Sequence, residues 1–220
     1  MITQATRPTT SPYLAALQER IVVFDGAMGT AIQALELTAA DFGGHEGAND
    51  YLVLTRPEVI TRIHRAYLEA GAEVIETNTF GANRPKLAEY GLEHLTATLN
   101  REAARLARRL ADEFTTPERP RFVAGSLGPT GYLPSSSDPT LSAITFDELA
   151  AIYAEQAQAL VEGGCDLLLV ETMQDILEAK AAVVGITRSF RQSGRWVPLQ
   201  VQVTLDTSGR MLLGTDIGAA

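Results

Sequence analysis

A parallel α/β fold is what this chain of 220 residues predicts. Two observations carry that expectation. Short β-rich runs alternate with helical stretches along the chain, the pattern of repeated βαβ units. Each run also starts apolar and ends on something hydrophilic: Asp25, Asn78, Ser126, Glu171, then Thr204 and Asp206. In parallel α/β folds the carboxyl ends of the strands share one edge, where ligands bind, so these distant residues are expected around one mouth.

The elements follow in order. Residues 1–14, "MITQATRPTTSPYL", are Thr/Pro-rich and read as a flexible arm, leaving 15–220 as the folded domain. "RIVVFDG" (20–26) reads as a first strand. "RPEVITRIHRAYLEAGA" (56–72) is a helix with Pro57 near its start and Gly71 at its end, both favoured placements. "EVIETNTF" (73–80) is a second strand and "LNREAARLARRLADEF" (99–114) an amphipathic helix. "RFVAGSLGP" (121–129) is a third strand. In the next helix, 145–164, Thr145 and Glu148 stand at capping-box spacing. "DLLLVET" (166–172) is a fourth strand, 175–194 a helix, and "VPLQVQVTLD" (197–206) a fifth strand. Five strands could complete an open doubly wound sheet, whereas a closed (β/α)₈ barrel needs three more. The tail "GRMLLGTDIGAA" reads as the start of another unit, which favours an interrupted barrel.

Bulk properties exclude several function classes. Eighteen Lys and Arg against 27 Asp and Glu give a net charge of −9, and no basic stripe with interleaved aromatics is visible. Nucleic acid is therefore a poor partner. No window approaches the apolar length of a membrane span, and the first residues lack the apolar region of a secretory signal. One cysteine excludes an internal disulfide and suits a reducing cytoplasm.

The turn after the first strand, "FDGAMGT" (24–30), is where ligand chemistry is most readable. Gly26 and Gly29 let the main chain approach a ligand closely, and the helix-like "TAIQALEL" that follows favours an anion at its start. No Gly-Lys-Ser/Thr follows, so it is not a phosphate P-loop, and it lacks the dinucleotide G-x-G-x-x-G pattern. Asp25 would repel a phosphate and accept bonds from an ammonium. Amides for a carboxylate beside an acidic side chain for an amino group suit a zwitterion such as an amino acid; a plain tight turn is the other reading.

Five motifs in this order, "DGAMGT", "ETNTFGAN", "AGSLGPTG", "GGCDLLLVET" and "LDTSGRMLLG", resemble the homocysteine S-methyltransferase family, nearest to the N-terminal homocysteine-binding domain of cobalamin-dependent methionine synthases. The resemblance runs from about residue 15 to the last residue. It implies a (β/α)₈ barrel, of which this chain holds about the first five units. It also implies methyl transfer to the homocysteine sulfur, giving methionine. On that resemblance Asp25 and the amides around Gly26, Ala27, Met28 and Gly29 line the substrate pocket, and Glu171 faces the substrate amino group. Asn78, Thr79 and Ser126 are expected as secondary wall residues. Met28 suits a core role equally well.

The resemblance further implies zinc, held by three cysteine thiolates from the last three strands, with ligands expected beyond Ala220. Methylcobalamin, ultimately recharged from methyltetrahydrofolate, would be the donor. It would be carried by another module of a longer chain that also has a folate-binding module. Cys165 does not fit such a role. Six residues separate it from Glu171, which at about 3.3 Å each is roughly 20 Å of strand, at the opposite end from the mouth. It reads as a small buried apolar residue. His64, His45 and His94 lack ligand spacing and read as solvated or locally bonded, with His45 alone near enough to the mouth to test. The piece alone is expected to be inactive. Two alternatives stay open: a family member using another donor, such as betaine or S-methylmethionine, and a non-catalytic binding module.

Overall fold

The computed structural model describes residues 11–220. Residues 1–10, most of the expected arm, lie outside the described residues. The arm's last positions are helical: α1 (Pro12–Glu19) starts at Ser11, whose hydroxyl accepts the Leu14 amide, and it places Tyr13 in the core. Proline at the first helical position and serine before it explain the start.

Four parallel strands form one sheet: β1 (Val74–Glu76), β2 (Phe122–Leu127), β3 (Leu167–Met173) and β4 (Leu199–Val203). Their spatial order follows the sequence, with β1 beside β2, β2 beside β3 and β3 beside β4. A doubly wound sheet reverses its order at a switch point, and no reversal occurs among the described residues. Sequential parallel order belongs to the (β/α)₈ barrel, present as its first units.

The first expected strand is shorter than its sequence suggests. Residues 23–25 run parallel to β1 through the Phe24–Val74 bridge and the Asp25 N–H to Val74 carbonyl bond. With a partner on one side alone, among the described residues, the ladder stops at that bridge, and Ile21 and Val23 are exposed. The fifth expected strand likewise shrinks to β4, an edge strand with Val201 exposed.

Between the strands lie α2 (Met28–Gln33), α3 (Leu52–Thr55), α4 (Pro57–Ala70), α5 (Arg84–Ala88), α6 (Thr96–Phe114), α7 (Phe146–Gly163) and α8 (Ile176–Ser193). Alternation divides each strand between two layers. Ile75, Val123, Leu168 and Val170 join the helix-facing core with residues such as Ala107, Tyr153 and Ile186. Val74, Phe122, Ala124, Leu167 and Leu169 pack together on the opposite, concave face, which Tyr13 plugs from below, edge-on to Phe122 at 5.5 Å. Continuing the period along that concave face brings Glu76, Ser126 and Glu171 to the open end.

Candidate functional site

A cavity of about 460 Å³ opens at the carboxyl ends of the strands. Asp25, Gly26, Ala27, Met28 and Gly29 form one side, and Glu76, Asn78, Thr79, Ser126 and Glu171 the rest of its inner wall. All nine residues that the family resemblance assigns to the substrate pocket and its walls are among its lining. Their placements differ in kind.

The turn at 26–29 offers unused main-chain donors. Among the described residues no acceptor takes the amides of Gly26, Ala27, Met28 or Gly29, and α2 begins without a side-chain cap. The Tyr67 hydroxyl, from α4, supports the turn by donating to the Ala27 carbonyl at 3.3 Å. A side chain at Gly26 would press on that hydroxyl, with a Cβ 3.0 Å away, whereas one at Gly29 would meet nothing within 4 Å. Met28 lines the cavity and also packs against the core of α3 and α4, so it serves both roles.

Carboxylates line the same cavity as the amides. Both Asp25 oxygens accept the Glu76 amide at 3.1 Å, which fixes the side chain against β1. Burial first, and then the charges of Glu76 and Glu171, push the Asp25 carboxyl up to about 8. Glu76 is pushed up to about 7 by burial and by Glu171. Glu171 accepts the Ser126 hydroxyl at 2.6 Å. It sits where the β3–β4 register slips between Val170 and Met173, and the next residue, Thr172, has φ of +60°. A β-branched residue in the left-handed region is strained, and this irregularity re-aims the strand end beside Glu171.

Asn78 and Thr79 build the wall through bonds of their own. Asn78 Nδ2 donates to the Asn49 carbonyl at 2.8 Å, and Thr79 Oγ1 to the Ser126 carbonyl at 2.7 Å. The strand-end residue of β1 is thus Glu76 and not Asn78. Asp50, also missed from sequence, accepts the Gly81 amide at 3.1 Å, and burial pushes its carboxyl up to about 6. Thr204 and Asp206 do not join the cavity. Asp206 is exposed and accepts the Ser208 and Arg210 amides of its own turn.

The histidines separate. His94 is exposed and His45 lies edge-on to Tyr51 at 5.5 Å, away from the cavity lining. His64 corrects the solvated reading: it is wholly buried in α4 and its Nδ1 lies 3.9 Å from Asp25 Oδ2.

The residues present do not fit a zinc site. Among the described residues no three or more of His, Cys, Asp and Glu are grouped to hold a metal. Cys165 is buried before β3 with its thiol pushed well up by burial, and its Sγ would lie 3.1 Å from a Cβ at Gly125. No helix among the described residues is long and apolar enough to cross a membrane.

Comparison with known proteins adds the following. A family model described as homocysteine S-methyltransferase matches residues 22–220. The chain is 47% identical over 207 residues to the methionine synthase of Mycobacterium leprae (strain TN), covering 94% of this chain and 17% of that protein. The methionine synthase of Mycobacterium tuberculosis (strain ATCC 25618 / H37Rv) is 46% identical over the same shares. The chain thus spans about a sixth of the curated relatives it matches. Among solved structures, the homocysteine methyltransferase MmuM from Escherichia coli superposes in its oxidized form with a TM-score of 0.76 at 25% identity, covering 94% of this chain and 70% of that one. Its metallated form gives 0.74 at 24% identity, covering 94% and 71%.

Proposed function

We propose, because the chain belongs to the homocysteine S-methyltransferase family, that residues 15–220 hold homocysteine by its amino-acid end within a cytoplasmic methionine synthase. The observation that carries this is one juxtaposition: the residues 26–29, whose four amides have no acceptor among the described residues, line one cavity together with Asp25, Glu76 and Glu171. An α-amino acid is complementary to both sides. Its carboxylate would accept from the amides, and its ammonium would lie among carboxylates that burial and mutual repulsion leave short of positive charge. Ser126, Thr79 and Asn78 hold the walls.

The same residues do not activate the sulfur. A free thiol has a pKa of about 8.5, and neighbouring carboxylates disfavour its thiolate. Zinc, when bound, acidifies such a thiol, and its ligands would come from outside these 220 residues. The likeness of "LDTSGRMLLG" to cobalamin-dependent methionine synthases makes methylcobalamin, carried by another module, the donor we propose. What this chain's residues do is bind, orient and leave the tail free.

Titration calorimetry of L-homocysteine into the full chain tests the reading. Asp25→Asn and Glu171→Gln each remove a charged partner worth about 1.5–3 kcal/mol, a loss of roughly tenfold or more in affinity. Unchanged affinity in both variants would sink the proposal.

A further inference from the structure

We infer that His64 is a positioning residue for Asp25, the buried hydrogen-bond donor that the Asp25 carboxylate uses when it is charged. The inference rests on the amino-acid reading of the cavity and adds a residue behind its wall.

His64 is placed by α4, whose inward stripe also carries Ile60, Ile63 and Leu68. None of its surface reaches solvent, yet neither ring nitrogen has a hydrogen-bond partner among the described residues. Leaving buried donors and acceptors unused is costly, and a site occupied only for packing would favour an aliphatic residue. The imidazole instead faces Asp25, the one acidic group within 4 Å of it among the described residues. The Asp25 side chain is itself almost wholly buried, 2% exposed.

At 3.9 Å the two do not yet form a hydrogen bond, which needs about 3 Å. Near pH 7 little charge draws the two together. Burial holds His64 down to about 4, so it is neutral with a single N–H. Asp25, faced by Glu76 from β1, Glu171 from β3 and His64 from α4, is pushed up to about 8, so its carboxyl is mostly protonated near pH 7. A neutral carboxyl makes little demand on a second donor. An incoming ammonium favours the carboxylate, whose proton leaves to bulk water. Both Asp25 oxygens already share one donor, the Glu76 amide. The charge that then develops draws the imidazole N–H about 1 Å closer, and a carboxylate with an added donor ionises more readily.

The test is the pH dependence of L-methionine binding to the full chain, a probe with no thiol to titrate, from about pH 5.5 to 8.5. Wild-type affinity should fall as pH drops through the Asp25 transition. His64→Leu should move that fall upward by about half to one pH unit, a roughly three- to tenfold loss at pH 7 that narrows to about 1.5- to threefold at pH 8.5. His64→Asn, whose amide nitrogen takes the place of Nδ1, should return most of the shift. A pH-independent loss in both variants, or an unmoved transition in His64→Leu, overturns the inference. Should the variants fail to fold, nitrogen NMR of the methionine-bound wild type decides: a proton on Nδ1 supports the inference and a proton on Nε2 alone overturns it. Wild type that binds no methionine, or Asp25→Asn that binds as well as wild type, sinks the amino-acid reading itself.

Discussion

Asp25 leaves a signature in stability as well as in binding. Its folded carboxyl is pushed up to about 8 from an ordinary value of 3.8. Between those values the folded chain holds a proton that the unfolded chain releases. Its contribution is therefore full at low pH and is lost as pH rises through about 8, and Glu76, at about 7, acts in the same sense. Asp25→Asn should flatten the fall in urea stability between about pH 5 and 8, and at about pH 8.5 it should be the more stable protein by on the order of 1–2 kcal/mol. An unchanged slope would remove Asp25 as the cause. At this scale much of the site was legible. Asp25, Ser126 and Glu171 announce themselves as polar ends of apolar runs. Glu76 was readable too, since counting by twos from Val74 puts it on the same face. His64 repeats at four-residue spacing from Ile60 and toward Leu68, both buried, which signalled an interior position.

Among the elements, α7 and α8 share the most extensive helix–helix contact, and Gly185 makes it possible. A Cβ there would stand 2.0 Å from the Ala150 carbonyl oxygen. Backbone cannot give way as a side-chain tip can, so Gly185→Ala must push the helices apart. We expect a loss of about 1–3 kcal/mol, measured as a lower urea midpoint with unchanged slope. Stability equal to wild type would show that α8 slides freely. The long helices were plain in sequence: the capping box of Thr145 and Glu148 forms as spaced, and Gly71 and Gly164 end α4 and α7 in left-handed geometry. Short elements were not. Nothing local marks α3, and α5 is marked only at its start, where Asn83 caps the Lys86 amide and Pro85 stands in the first turn; the first strand's single bridge reflects how many neighbours it has, which no residue within it encodes.

For the whole molecule the sheet edges matter most. Val23 beside β1 and Val201 on β4 expose apolar surface where, among the described residues, no further strand pairs. On the proposed reading, neither closure of the barrel nor the metal ligands come from these 220 residues. Elemental analysis of the purified 220-residue piece should therefore find well under one zinc per chain; one tightly bound zinc would place the metal site within these residues after all. The (β/α)₈ reading came from the motifs, because alternation alone fits an open sheet equally well. Sequential strand order is what separates the two.

By itself the sequence determined the long helices, the order of strand runs and helices, and that polar groups gather at most of the strand ends, because periodicity and caps act within a few residues. Only the tertiary structure decided that Glu76 joins Asp25 and Glu171, that His64 stands behind them, and that the amides of 26–29 are left open. Those are relations between segments tens of residues apart. Their energies depend on burial and on distances of a few ångströms, which no local pattern of residues specifies.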